Sequence, residues 1–168
     1  MTQSFVEDLV KLYEMKPHPE GGFFKETYRS SGVIPKNGLP EKFKGDRSYS
    51  TAIYYLLSEG GKSKLHRLVT DEMFHFYLGD PLTVVEIRPD GKVLKTIVGP
   101  DVIAGQKVQH VIPAGHWFGA FVNPGSRYSF IGCTVAPGFD FEIFEMGNKE
   151  ELLKQFPQAK KEINLLMP

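Results

Sequence analysis

Apolar and polar residues alternate with a period of two through most of the middle of the chain, and recur at helical spacing only near its ends. Over 4–15, Val6, Leu9, Val10 and Tyr13 recur three and four apart, Ser4 and Glu7 have capping-box spacing, and Pro17 and Pro19 follow. That predicts a helix with one buried face. Phe23 to Arg29 alternates as a strand does, with Phe24, Glu26 and Tyr28 on one face and Phe23, Lys25, Thr27 and Arg29 on the other. Residues 30–47, rich in Gly, Pro, Lys and Ser, predict a long exposed loop. Strands are then predicted at 49–58, 65–69, 72–78, 82–88, 93–98, 107–112, 117–122, 127–135 and 139–145, with a hairpin signal at Pro89-Asp-Gly-Lys92. Asn148 and Glu151 repeat the capping-box spacing ahead of Leu152, Leu153 and Phe156, and Pro157 opens a second short helix that ends near Leu166.

Short strands with turns every 8–12 residues or so predict an all-β dominated fold, a sandwich, jelly roll or barrel. The expectation is one domain over 1–168: a helix at about 4–15, a β-barrel at about 22–146 and helices at about 148–166. Composition agrees, since 17 glycines, 12 prolines and 13 phenylalanines suit a turn-rich, aromatic-cored β protein. Lys+Arg and Asp+Glu are both 20, so no net charge draws the chain to nucleic acid or to an anionic membrane. Cys133 is the only cysteine, which excludes an intramolecular disulfide and a thiolate zinc cluster and reads as a small buried apolar residue. No apolar run approaches the ~18 residues of a membrane span, and no basic-then-apolar leader opens the chain. A soluble, cytoplasmic protein is expected.

The stretch from Gly60 to Gly79 interrupts an apolar-aromatic strand pair with His66, Glu72 and His75. Burying such groups unpartnered is costly, so their presence predicts a small-molecule pocket. Gly60, His66, Glu72 and Gly79 fall on the spacing of the cupin first motif, with Leu68 where that motif has its second histidine. Pro113-Ala-Gly115 resembles the second motif, with Phe118 at the histidine position and Asn123 one residue late. Pro-His-Pro-Glu-Gly-Gly at 17–22, Glu-Thr-Tyr-Arg-Ser at 26–30, Ile-Tyr-Tyr-Leu-Leu at 53–57, Gly-Asp-Pro-Leu at 79–82 and Val-Ala-Pro-Gly-Phe-Asp-Phe at 135–141 extend the likeness. Together they resemble the cupin type-5 family, a domain of unknown function, over residues 5–166. The resemblance implies an RmlC-like jelly roll (a double-stranded β-helix), a homodimer, and a ligand pocket inside the barrel.

Cupin metals are held by three histidines and a glutamate, donors that suit Mn, Fe, Ni or Zn. With Leu68 and Phe118 at two of those positions, the expectation is no metal; a divalent ion, if bound, would rest on His66 and Glu72, with His116 a possible substitute. The His66–Glu72 pair is expected to carry proton transfer without a metal. By analogy with the sugar-nucleotide epimerases of this barrel, His66 would be the base, and Tyr28, Tyr55 or Tyr128 the acid. Glu26, Tyr28, Tyr55, Leu68, Phe74, Phe118 and Tyr128 are the expected ligand-binding residues. Phe74 faces inward with Glu72 by alternation, and His75 outward. His75 reads as a structural histidine, His18 as a capping or packing residue, and His110 as one on a sheet face. Three functions follow: an isomerase- or epimerase-like enzyme acting on a small polar or carbohydrate-derived molecule, a non-catalytic small-ligand binder, or a metal-dependent oxygenase or isomerase.

Overall fold

The predicted alternation is realised as two facing antiparallel sheets. The computed structural model describes residues 2–168, with side chains from Phe5 onward. In chain order the elements are α1 (Thr2–Leu12), β1 (Lys16–Pro17), β2 (Phe23–Arg29), β3 (Val33–Ile34), β4 (Arg47–Ser48), β5 (Thr51–Ser58), β6 (Lys62–Leu68), β7 (Glu72–Gly79), β8 (Leu82–Ile87), β9 (Val93–Val98), β10 (Gln109–Ile112), β11 (Trp117–Val122), β12 (Tyr128–Val135), β13 (Phe144–Met146), α2 (Lys149–Gln155) and α3 (Lys160–Leu166). A six-stranded sheet runs β1-β2-β5-β12-β7-β10 and a five-stranded sheet runs β13-β6-β11-β8-β9. Between them lies an apolar interior that includes Leu57, Leu68, Phe74, Val84, Phe118 and Ile131.

The terminal helices close the outer faces. Leu65, Val85 and Ile87, which point away from the interior, pack under Leu152, Ile163 and Leu166 of α2 and α3. On the other sheet Leu56, Tyr128 and Phe130 pack under Val6 and Leu9 of α1. Strand positions of both parities are therefore buried, and β8 is closed along its whole length. Among the described residues no helix is long and apolar enough to cross a membrane.

Several local expectations change. The Ser4 side chain of the predicted capping box lies outside the described residues, and the α1 backbone already starts at Thr2. The helix stops at Leu12, where Glu14 at φ 51° turns the chain. Residues 30–47 do not form a free loop. They are stapled by the β3–β4 ladder and by Phe43, which is 2% exposed in the interior cluster. The strand predicted at 139–145 is a short 3-10 turn, Phe141–Ile143, started by the Asp140 side chain accepting from the Glu142 amide; only Phe144–Met146 pairs as strand. At the C-terminal end Asn148 does cap α2, accepting from the Glu151 amide at 3.1 Å.

Two ladder irregularities set up the site. Across β2 and β5, Glu26 faces Ile53 and Tyr28 faces Ala52, so Thr27 is an extra residue and the strand's parity flips there. Across β6 and β11, Phe118 faces His66 but Ala120 faces Ser63, three steps on β6 against two on β11. Such bulges re-aim side chains. Here the first turns Arg29 to the side of Glu26, and the second lets Ser63 and His66 reach the same carboxylate.

Candidate functional site

A cavity of about 150 Å³ opens between the sheets, with His66 and Leu68 from β6, Glu72 at the start of β7 and Cys133 from β12 in its wall. Its remaining wall comes from β2, from β5, from the 17–22 turn and from the 139–144 segment. A larger hollow of about 600 Å³ lies beside α1, lined by Val6, Val10, Phe23 and Arg127 among others. Its charged residues, Glu7, Lys11, Glu59 and Arg127, are all exposed to solvent, whereas the interior cavity brings buried titratable groups together, so the interior cavity is the candidate site.

His66 is closed on both nitrogens. The β6 bulge presents the Lys64 carbonyl, which can only accept, so His66 Nδ1 carries a proton and donates to it at 2.7 Å. Nε2 lies 2.9 Å from Glu20 Oε2. Burial alone would lower the pKa of His66, but the charge of Glu20 and the contact with it outweigh burial and raise it. Glu20 is shifted the other way: burial would raise it, and the charge and hydrogen bond of His66 pull it below the ordinary value. Ser63 Oγ donates to Glu20 Oε1 at 3.0 Å. The result is a buried imidazolium–carboxylate pair in which each carboxylate oxygen has a hydrogen-bond partner.

The Pro17–Gly22 turn delivers Glu20. The His18 amide donates to the Gly22 carbonyl, the Gly21 amide to the His18 carbonyl, and the Lys64 amide to the Glu20 carbonyl. The Glu20 amide donates to His18 Nδ1 at 3.2 Å, which leaves that nitrogen unprotonated. Burial, with the positive His66 nearby, holds His18 below its ordinary pKa against the pull of Glu20, so it is the neutral tautomer with hydrogen on Nε2. Gly21 and Gly22 have φ of 117° and 69°, and a β-carbon on Gly21 would overlap the Lys62 carbonyl oxygen. Gly21→Ala should therefore destabilise the protein by about 2–3 kcal/mol in chemical denaturation. A loss below about 0.5 kcal/mol, the scale of a surface substitution, would show that the turn is not so constrained.

Glu72 is the contrasting carboxyl. It is half-buried, opens on the cavity, and among the described residues has no basic side chain at ion-pair distance. Burial raises its pKa to about 7, the charge of His66 opposing and that of Glu20 assisting. The buried Cys133 thiol lines the same wall; burial first, then the Glu72 charge, pushes that thiol well above its ordinary pKa, so it stays protonated.

Of the expected site residues, Glu26 and Leu68 line the cavity with His66 and Glu72, and Tyr28, Tyr55, Phe74, Phe118 and Tyr128 do not. Tyr28 is turned outward by the Thr27 bulge and is 54% exposed. Tyr128 belongs to the outer face under α1. Phe74 and Phe118 are buried behind the wall, the Phe118 ring 4.1 Å from the His66 ring. Tyr55 is buried, donates from its hydroxyl to the Gly21 carbonyl at 2.7 Å, and has its pKa pushed well up by burial and by the Glu20 charge. It braces the turn. Of the histidine pairing expected from sequence, Glu20 rather than Glu72 is the carboxylate in contact with His66.

The donor set of a cupin metal does not fit these residues. Leu68 and Phe118 supply no donor, and both His66 nitrogens are engaged. Among the described residues no group of three or more His, Cys, Asp and Glu side chains is placed to hold a metal ion. His116 does not swing in as a substitute. Its Nδ1 lies 2.9 Å from Glu86 Oε2, while His110 Nε2 lies 2.6 Å from Glu86 Oε1. This second cluster sits beyond Phe118, which faces Glu86 on one side and His66 on the other across neighbouring strands, and it ties β8 of one sheet to β10 of the other. His75 is satisfied on the outer face by Thr134 at 2.8 Å and Gln109 at 3.1 Å.

Sequence reasoning missed Glu20 and Arg29 as wall residues and underrated His18. It also left without a role the aromatic rim, where His18 and Phe24 meet at 4.8 Å, Phe139 and Phe141 at 5.2 Å, and Phe141 and Phe144 at 5.8 Å. The available signal was the pair of adjacent glycines behind Pro-His-Pro-Glu.

Residues 7–147 match the family model described as Cupin superfamily (DUF985). The chain is 32% identical to the protein YML079W of Saccharomyces cerevisiae over 96% of its own length and 85% of that protein's. Among solved structures it resembles protein SO0799 of Shewanella oneidensis, with TM-score 0.87, 36% identity and 96% of each chain covered. It also resembles a hypothetical protein of Leishmania major, with TM-score 0.84 and 31% identity, covering 94% of this chain and 96% of that one. Oxalate decarboxylase of Bacillus subtilis shares the fold at TM-score 0.53 and 14% identity, over 89% of this chain and 36% of that one.

Proposed function

The chain belongs to the DUF985 family of the cupin superfamily, and from its cavity we propose that it moves a proton on a small molecule bound between the sheets, with Glu72 as the acid–base group. The observation that carries this reading is the division of labour between two carboxyls: Glu20 is locked to His66, and Glu72 faces open cavity with no cationic partner at ion-pair distance among the described residues. A carboxyl poised near neutrality is populated in both forms there and can take a proton and return it. Burial among apolar groups is the ordinary way to tune a glutamate so. His66 is less suited to be the base, because both of its ring nitrogens are held by acceptors, the Lys64 carbonyl and Glu20.

His18 supplies the complementary group. Its Nε2–H has no acceptor among the described residues and belongs to a ring in the cavity wall. A neutral imidazole donor is suited to an oxygen that gains charge as a neighbouring C–H proton leaves. The reaction class is proton abstraction beside a carbonyl, followed by return of the proton, an isomerase- or epimerase-like chemistry needing no metal donor from this wall. The cavity's 150 Å³ is the size of a site that holds benzene, so the reacting part of the molecule is one small ring or its equivalent.

The test is solvent exchange. Small enolisable carbonyl compounds are incubated with the protein in deuterated buffer and followed by proton NMR. Loss of a C–H signal with the wild-type protein, abolished in Glu72→Gln, supports the reading. Saturable binding without exchange in any compound would replace it with that of a non-catalytic binding protein.

A further inference from the structure

The cavity's cations and anions are not equally available to a ligand. Both His66 nitrogens are engaged, by the Lys64 carbonyl and by Glu20. Arg29, the other cation in the wall, donates from Nε and Nη2 to the two oxygens of Glu26 at 2.9 and 2.8 Å, and from Nη2 to the Phe139 carbonyl at 2.9 Å. His66 could meet an anionic ligand only by giving up one of these contacts, and Arg29, its charge already balanced by Glu26, would offer one only the N–H groups of Nη1. Glu72 and Asp140 also line the cavity, and among the described residues neither has a basic partner at ion-pair distance. With the two closed pairs cancelling, the free charge facing the cavity is negative.

The walls add a second, independent preference. Phe24, Phe139, Phe141 and Phe144 surround the opening with His18, and their rings touch one another edge-on. Aromatic faces attract cations and planar rings, and more strongly where water is excluded. A sugar would instead need directional donors and acceptors around its hydroxyls, and the phenylalanine part of the wall supplies none.

We propose that the cavity is selective for a small planar ring carrying a positive or N–H-rich end, such as an amidinium, a protonated amine or a basic heterocycle, and that it rejects carboxylates and sugar acids. The ring sits among the phenylalanines and the charged end faces Glu72 or Asp140. This deepens the acid–base reading of the same site but is separable from it, since it concerns which molecule enters rather than what happens to its protons.

Benzamidine and benzoate, planar and of equal heavy-atom number but opposite charge, are the probes, with glucose as the carbohydrate control. Binding to the whole protein at neutral pH is followed by amide and histidine NMR shifts. Benzamidine should bind about tenfold or more tightly than benzoate, the preference should shrink with added salt, and Asp140→Asn should reduce it several-fold. Phe141, 52% exposed at the rim, can be replaced without opening the interior, and Phe141→Ala should weaken benzamidine binding. Benzoate binding as tightly as benzamidine, glucose binding in its place, or no binding of either ring at about 10 mM would overturn the proposal. Benzamidine binding while no carbonyl compound exchanges would leave it standing and remove the acid–base reading; the reverse pattern would remove only the ligand class.

Discussion

Glu20→Ala is expected to lower stability by about 3–5 kcal/mol near pH 6, because it strips the counter-charge from a buried imidazolium. His66 is 3% exposed and its Nδ1–H stays tied to the Lys64 carbonyl, so it cannot turn to water for a replacement. Ser63 loses its acceptor at the same time. The loss should depend on pH in a defined way. His66 has a raised pKa, so its share of the pair's stability is complete below its ordinary value of 6.5 and fades as pH climbs through the raised value. Glu20 has a lowered pKa, so its share is present above its ordinary value of 4.5 and fades as pH falls through the lowered value. The gap between wild type and variant should form a plateau between these two pH values and narrow on both sides. Urea denaturation across the pH range measures it. A gap under about 1 kcal/mol at the plateau, or one flat with pH, would contradict the buried ion pair.

Glu72→Gln should act oppositely on activity and on stability. Removing the acid–base group should lower solvent exchange of a bound substrate by about 10²–10⁴-fold. The same substitution should stabilise the protein above neutral pH. A carboxyl raised from 4.5 to about 7 binds more protons folded than unfolded within that window, so stability falls as pH climbs through it. The amide removes that penalty. The gain should be absent below pH 4.5 and reach about 2 kcal/mol above pH 7, allowing for the carboxyl's opening to the cavity. A site residue held at a cost to stability is the usual mark of function. A variant no more stable than wild type at pH 8, with exchange unaltered, would leave Glu72 a wall residue and nothing more.

The sheets were legible in the sequence because alternation and turn chemistry act locally. Tyr55 and Leu57 take one side of β5 and Leu56 the other, as period two requires. His66, Leu68 and Glu72, which the first-motif spacing marks, line the cavity for the same reason: they lie on two neighbouring stretches whose register the glycines mark. Bulges were not legible. One extra residue at Thr27 reversed Tyr28 and Arg29, and another in β6 brought Ser63 to the side of His66. Nothing in residue type announces such a slip ahead of the ladder that contains it. Glu20 was missed because its partner is far along the chain, and its approach depends on the Gly21 backbone packing against Lys62. Phe43 was missed for a related reason: a single apolar residue in a polar stretch gives no periodicity, yet one anchor was enough to fasten residues 30–47 to the interior.

In the proposed site Glu20 holds the charge of His66 in place, and Glu72 is the group that gains and loses a proton. Carbon-13 NMR of the glutamate carboxyls, recorded with the nitrogen-15 shifts of the histidine rings across pH, observes both at once. The expected result is a Glu72 midpoint near pH 7, with His66 holding its second proton above its ordinary value and His18 neutral with hydrogen on Nε2. A Glu72 midpoint near the ordinary 4.5, with His66 losing its proton near 6.5, would contradict it and return the base to His66.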